Sequence, residues 1–241
     1  MHLANTGAIK TYDGLKHGDD RSDARHLAHL LRLQLARSRT MHILAVENQF
    51  TRQTGGRMHS NEVKRLTAQA VAALELPADV SRGIAANVAV IQTLNAEIGK
   101  LEARLLEAVR ADDQWALLKS VPGIGQALAL VILLETGTIS RFPGVGAFAS
   151  YARCVDSVRL SNGRKKGAGN SKNGNKYLSW AFIEAAHFAA RFSPQAKRFY
   201  ERKRAKTNAA VAAKALAHKL ARACYHILKS GQPFDAGRCF A

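Results

Sequence analysis

Apolar residues recur at helical spacing along most of this chain. From Ser22 onward, Leu27, Leu30, Leu31 and Leu35 share one helical face, with Arg25, Arg32 and Arg37 interspersed, which predicts a first helix. A second helical stretch is predicted over residues 61–76 and stops at Pro77. The clearest period lies over residues 84–108. There Ile84, Ile91, Ile98 and Leu105 fall at one heptad position, and Leu94, Leu101 and Ala108 at the other, with Asn87 as the polar exception. Such a seam either pairs two chains as a short coiled coil, where a polar residue sets register, or is buried inside one globular domain. Beyond it, Leu117–Ser120 end a helix, Val121-Pro122-Gly123-Ile124-Gly125 makes a turn, and residues 127–135 begin the next helix. The sequence Phe142-Pro143-Gly144-Val145-Gly146-Ala147 echoes that turn. Residues 151–175, rich in Gly, Asn, Ser, Lys and Arg, read as a long functional loop. Residues 176–192 and 194–229 read as Ala-, Lys- and Arg-rich helices, and residues 1–20 show no period.

Charge changes the picture. The 241 residues carry 36 Lys and Arg against 18 Asp and Glu, a formal net charge of +18. An excess of that size repels itself in a compact state and calls for a polyanionic partner, nucleic acid first and an anionic membrane surface second. Between Arg153 and Lys229 stand eighteen Lys and Arg, opposed only by Asp156, Glu184 and Glu201. A solvated face usually mixes signs, so this stretch reads as an electrostatic footprint for nucleic acid. Tyr177, Trp180, Phe182, Phe188, Phe192, Phe199 and Tyr200 lie among these charges; their helical spacing assigns most to the core and leaves some to stack on bases. No apolar run is long enough to span a membrane, and the first residues lack the basic start and apolar run of a signal peptide. Cys154, Cys224 and Cys239 form no Cys-x-x-Cys pair, so neither a zinc site nor a disulfide framework is expected.

Four features could carry chemistry. The glycines of Pro122-Gly123-Ile124-Gly125 would let backbone approach a phosphate at the start of a helix, as in a helix-hairpin-helix; otherwise the turn is a packing corner. Val121 and Ile124 are core residues on either reading. Ser161, within Leu160-Ser161-Asn162-Gly163-Arg164-Lys165-Lys166-Gly167, could present a hydroxyl to a phosphate gripped by Arg159, Arg164, Lys165 and Lys166; Ser157 and Ser171 are rivals, the latter beside Lys172. Asp20 and Asp23 lie three apart, on one face of a helix start, where two carboxylates hold a divalent metal or simply favour the helix dipole. His26-x-x-His29 could also suggest a metal, but with Arg25 and Arg32 nearby the pair is read as an exposed face.

Several of these segments resemble the IS110 family of insertion-sequence transposases, in particular its IS116-like branch. They are Ser120-Val121-Pro122-Gly123-Ile124-Gly125, Tyr151-x-Arg153-Cys154, the Ser161 to Gly167 loop and Lys172-Asn173-Gly174-Asn175-Lys176-Tyr177-Leu178, then Trp180-Ala181-Phe182-x-Glu184 and Lys214-Ala215-Leu216-Ala217-His218-Lys219. Fainter similarity runs upstream through Glu47-Asn48-Gln49 and Arg52-x-Thr54-Gly55. The resemblance implies a mostly α fold. A partial RuvC-like α/β remnant would occupy residues 1–60, a helical and coiled-coil linker 61–116, and a serine-bearing basic domain 117–235. It implies DNA transposition guided by an element-encoded RNA, with Ser161 forming a covalent link to DNA and Asp20 and Asp23 contributing to a Mg2+ site. It further implies contact with DNA through Gly123, Gly125, Arg159, Arg164, Lys165, Lys166 and Lys172, dimers or tetramers, and a nucleoid-associated place in the bacterial cytoplasm. Two carboxylates of the family's set of four have no counterpart before Asp20. The chain is therefore expected to be an N-terminally truncated member, either still a recombinase or a catalytically dead nucleic-acid-binding remnant.

Overall fold

The computed structural model describes residues 20–155, 158–162, 164–168 and 173–240; the side chains of residues 21, 22, 158–161 and 165–168 lie outside the description. As expected, the fold is mostly α. It divides into two compact units, one spanning Leu27–Glu107, the other holding the described residues up to His26 and those from Ala108 onward.

The first unit is built on two long helices, α1 (Asp20–Thr54) and α4 (Ala78–Val109). Helix α1 starts two residues before the Ser22 signal, with Asp20 and Asp23 in its first turn, where carboxylates favour the dipole. The heptad residues of α4 are buried as the period requires: Ile84, Ile91, Ile98 and Leu105 all lie inside. Their partner is α1 of the same chain. The Arg32 Nε donates to Glu102 Oε1 at 2.9 Å, Arg39 Nη1 to Asn95 Oδ1 at 2.9 Å, and His42 Nδ1 to Asn87 Oδ1 at 2.9 Å. Rising numbers on α1 meet falling numbers on α4, so the pair is antiparallel. Asn87, the polar exception on the seam, also donates to the Gly83 carbonyl at 2.8 Å. Both ends of its amide are thereby used, which ties it to one register.

The helix expected over residues 61–76 is instead two short ones, α2 (Ser60–Val63) and α3 (Ala68–Ala72). Thr67 breaks the run by capping α3: its hydroxyl accepts from the Ala70 N–H at 3.2 Å. The carbonyl freed at Leu66 is taken by Gln92 of α4 at 2.7 Å. Val63 and Val71 then join Ile43, Val46, Ile84, Val88 and Ile91 in one core. On its outer side α1 leaves Leu27, Leu31, Met41 and Leu44 exposed. Of the α/β remnant expected over residues 1–60, residues 1–19 lie outside the described residues, and residues 20–54 are all helix α1.

In the second unit α5 (Asp113–Leu118) leads through the Pro-Gly-x-Gly turn into α6 (Gln126–Thr136), and α7 (Val145–Tyr151) follows a single 3-10 turn. Then come strands β1 (Val158–Ser161) and β2 (Arg164–Ala168), and helices α8 (Lys176–Phe192), α9 (Pro194–Lys206), α10 (Ala209–Ser230) and α11 (Ala236–Phe240). Helix α6 is buried from Leu128 to Thr136, packs on α5 and α8, and is apolar all round as a central helix must be. Helix α10 packs on α8, α7 and α5. Phe148 stands where these faces meet, with Phe142, Phe182 and Tyr225 rings at 5.2, 6.1 and 6.1 Å. Asn208 separates α9 from α10 by capping the latter, accepting from Val211 N at 2.9 Å.

Gly123 shows why the turn has its sequence. Its φ is +83°, and a Cβ there would lie 2.2 Å from the Ala185 carbonyl oxygen and 2.7 Å from the Ala189 nitrogen of α8. This glycine therefore serves close packing inside the protein, while Val121 and Ile124 are buried, as expected of core residues. Gly125 differs: a Cβ there meets nothing within 4 Å. Gly123→Ala should lower stability by about 2 kcal/mol or more, combining a left-handed backbone with a backbone clash. Gly125→Ala should cost less than about 1 kcal/mol. Urea unfolding of the two variants separates these roles, and equal midpoints would contradict the packing account.

Candidate nucleic-acid interface and serine hairpin

The long loop expected over residues 151–175 contains a β-hairpin. Strands β1 and β2 pair antiparallel, Val158 with Ala168 and Ser161 with Arg164, with a bulge between Arg159 and Leu160. Asn162 enters the reversal at φ +50°, a left-handed value that Asn tolerates better than most residues. Sequence reading missed these strands because Gly, Asn and Lys are poor strand formers; the pairing comes from closure of the turn rather than from propensity. Ser161 is thus the last residue of β1, at the hairpin's end. The side chains of Arg159, Ser161, Lys165 and Lys166 lie outside the described residues, as do Asp156, Ser157, Ser171 and Lys172 entirely; Arg164 is exposed.

The root of the hairpin is fixed by residues from both of its ends. Arg153, itself at φ +56°, donates through Nε and Nη2 to the Gly174 carbonyl at 2.9 and 2.7 Å. The Asn175 N–H donates to the Tyr151 carbonyl at 2.6 Å. Gly174 is required here: φ is +92°, and a Cβ would lie 2.4 Å from the Tyr151 carbonyl oxygen. Asn175 then starts α8, its Oδ1 accepting from Tyr177 N at 2.8 Å and Leu178 N at 3.0 Å. Its Nδ2 donates to Glu135 Oε2 and reaches the Tyr151 hydroxyl at 3.4 Å.

Glu135 is the residue that sequence reading overlooked. Only 1% exposed, it sits near the end of apolar α6, where a carboxylate is costly unless it is engaged. One oxygen takes Asn175; the other lies 3.9 Å from His26 Nδ1 on α1, one turn beyond Asp23. A single buried acid therefore touches both the base of the serine hairpin and the helix start that bears Asp20 and Asp23. The available signal was an acid ending an otherwise apolar run. His26 and His29 do not form the exposed face expected of them: His29 is buried, and His26 faces Glu135. Asp20 and Asp23 are exposed on the first turn of α1. Among the described residues no three His, Cys, Asp or Glu side chains converge as a metal site.

Gly125, Gln126 and Ala127 are exposed, so the start of α6 turns its free N–H groups outward. Of the aromatic residues assigned mostly to the core, Phe182 is buried, but Trp180, Phe188 and Phe192 are 45%, 45% and 68% exposed. They line the outer side of α8 at four-residue spacing, or multiples of it, with Phe188 and Phe192 stacked at 6.4 Å. The buried side of α8 is occupied by Ala181, Ala185 and Ala189, and Gly123 packs against the backbone there, which turns the aromatics out. Cys154 and Cys224 are buried free thiols; burial pushes Cys154 up to about 12 and raises Cys224 as well, so neither is a thiolate nucleophile. No helix among the described residues is long and apolar enough to cross a membrane.

The class of domain so defined is a basic helical module that roots a serine-bearing hairpin on a buried polar network. Residues 115–201 match the family described as Transposase IS116/IS110/IS902. It is 29% identical over 106 residues to the "Insertion element IS110 uncharacterized 43.6 kDa protein" of Streptomyces coelicolor, covering 44% of this chain and 26% of that protein. It is 30% identical over 101 residues to a "Probable family 20 transposase" of Pseudomonas aeruginosa, covering 42% and 30%. It is also similar, 26% over 111 residues, to the "Insertion element IS116 uncharacterized 44.8 kDa protein" of Streptomyces clavuligerus, covering 46% and 28%. The matched stretch thus spans less than a third of each relative's length.

Removing Glu135 tests the anchor. Glu135→Ala should destabilise the fold by about 3 kcal/mol, because it strands the Asn175 amide in a buried site. Glu135→Gln keeps an acceptor and should cost clearly less. Chemical denaturation of both variants measures the difference; an unshifted midpoint for the alanine variant would remove Glu135 from this role.

Proposed function

We propose that this chain acts in DNA transposition, its residues 117–235 holding a DNA strand while Ser161 exchanges a phosphodiester bond. The observation that carries the reading is the rooting of the Ser161 hairpin on Arg153, Gly174, Asn175 and Glu135, inside the stretch that matches the transposase family. A serine hydroxyl presented from a fixed base can be held against a phosphate, and preorganisation of that kind is where much of a rate enhancement originates. In the proposed step Ser161 Oγ loses its proton and forms a bond to phosphorus. A strand P–O bond breaks, and the departing oxygen takes up a proton. Arg159, Arg164, Lys165 and Lys166, the hairpin's own cations, and Lys172 beyond it would neutralise the phosphate. Gly125 at the open start of α6 would admit a second phosphate to the helix N–H groups, as in a helix-hairpin-helix. Gly123 would shape that turn, and Trp180, Phe188 and Phe192 offer surfaces on which unpaired bases stack.

Asp20 and Asp23 would supply two carboxylates to Mg2+, which when bound adds positive charge at the reacting phosphate. A second reading is a nucleic-acid-binding remnant without strand-transfer activity, in which the basic stretch alone holds the strand. An element-encoded guide RNA, a RuvC-like part including residues 1–19, and a nucleoid-associated cytoplasmic location belong to the same proposal through the family. So does self-association, for which the exposed Leu27, Leu31, Met41 and Leu44 of α1 offer a face.

Incubation of the chain with end-labelled element DNA and Mg2+, followed by denaturing electrophoresis, should reveal a covalent protein–DNA band. Ser161→Ala should abolish the band and leave DNA affinity within about twofold. A band that survives that substitution would sink the Ser161 assignment; DNA binding without a band in the parent chain would select the remnant. On either reading, affinity should fall steeply with salt, with a log–log slope of about −0.9 for each duplex phosphate neutralised.

A further inference from the structure

Beyond the matched residues the chain folds back over the end of α10. Gly231 closes that helix at φ +68°, Phe234 N donates to Ser120 Oγ at 2.9 Å, and Phe240 rests against Phe199 and Phe234 at 6.1 and 6.3 Å. Lys219 Nζ donates to the Cys239 carbonyl at 2.7 Å and holds the returning segment in place. Between that segment and α10 is a pocket of about 560 Å³, lined by Lys219, Arg222, His226, Lys229, Phe234 and Arg238 among others. The size is that of an ordinary ligand site, which runs from roughly 300 to 1,000 Å³.

Its charge is one-sided. Four permanent cations face one carboxylate, Asp235, whose Oδ1 already accepts from Gly237 N and Arg238 N at 2.8 and 3.2 Å. Burial, and after it the charges of Arg222, Arg238 and Lys229, pull the His226 imidazolium below its ordinary range. Lys219 is held by the Cys239 carbonyl and Lys229 reaches the Tyr225 hydroxyl at 3.4 Å, neutral partners that leave both charges uncancelled. A second, smaller pocket of about 370 Å³ flanks α11 on its α9 side, lined by Arg198 and Arg202. A ligand with one acid group would fill one pocket; a chain of regularly repeated anions can use both. Arginine forks suit phosphate oxygens.

We propose that the pocket between α10 and α11 binds a phosphodiester of a nucleic-acid strand, through Arg222, Lys229 and Arg238, with His226 as an additional N–H donor. The site rests on the nucleic-acid binding of the proposed function and not on Ser161 chemistry.

The test uses the full chain and 12-nucleotide single strands of DNA and RNA of one sequence. The His226 ring resonance, assigned with His226→Gln, is followed against pH with and without each oligonucleotide. A bound phosphodiester should raise the His226 pKa, because it offsets the cations that depress it. In Lys229→Gln/Arg238→Gln, both exposed positions, the free protein's His226 should already titrate higher. That variant should bind roughly tenfold more weakly, with a salt slope shallower by about 1.4, at about 0.7 per single-strand phosphate contact. Arg57→Gln/Arg65→Gln removes the same charge from exposed positions in the other unit and should leave the His226 response intact. Stronger binding by the RNA or by the DNA strand names the source of the phosphodiester. Oligonucleotide binding that leaves His226 and the pocket variant unchanged overturns the site while leaving the proposed function standing. Absence of oligonucleotide binding overturns both, and equal occupancy by inorganic pyrophosphate or a polyglutamate peptide overturns the strand assignment.

Discussion

A carboxylate in the middle of an apolar core is expensive, and Glu135 is held where nothing but hydrogen-bonding partners could justify it. Its neighbours on α6 run Leu130, Val131, Ile132, Leu133 and Leu134, all buried. The helix is fixed by that apolar surface, so the acid's position is fixed too. Asn175 must then come to it, and in doing so it caps α8 and brings Gly174 against the end of α7. The segment that carries the hairpin thus has its flanks held together, Arg153 on the Gly174 carbonyl and Asn175 on the Tyr151 carbonyl. The acid thus converts hydrophobic packing, which is non-directional, into a directional constraint on a polar segment.

The same logic explains the two most constrained glycines. Gly123 lets a turn lie on the α8 backbone, and Gly174 lets the start of α8 lie on the α7 backbone. Where Gly123 lies on the α8 backbone, the helix face toward it carries Ala185 and Ala189, while Leu178 and Phe182 fill the core nearer its start. The long aromatics are displaced to the outer side, where Trp180, Phe188 and Phe192 remain exposed in a domain dense with Lys and Arg. Exposed aromatics cost solubility unless they meet a partner, and flat rings among cations suit unpaired bases better than they suit another basic surface.

Helix positions, the heptad seam and the basic stretch were legible in the sequence because each is a repeated signal, in which many residues agree. The partner of the seam was not. Ile84, Ile91 and Ile98 specify that something covers them, yet only the pairing of Arg32, Arg39 and His42 with Glu102, Asn95 and Asn87 shows that α1 does so. The hairpin was missed for the opposite reason: its strands have weak propensity, and the signal that could have found it is the single Asn162-Gly163 pair at the reversal. Glu135 and the pocket around His226 were hidden because each draws on residues far apart in the chain, with no fixed spacing to betray them.

Charge arrangement separates the two basic regions of the second unit. Around the hairpin the cations stand close to Ser161 in sequence, on β2 and on residues near it. Around α11 they are set by packed helices, with Lys219 tied to a backbone carbonyl and Phe240 holding the segment down. A rigid array of like charges is tolerated only because the apolar contacts of α9, α10 and α11 overcome its self-repulsion, and neutralisation by a polyanion relieves that repulsion without moving the helices.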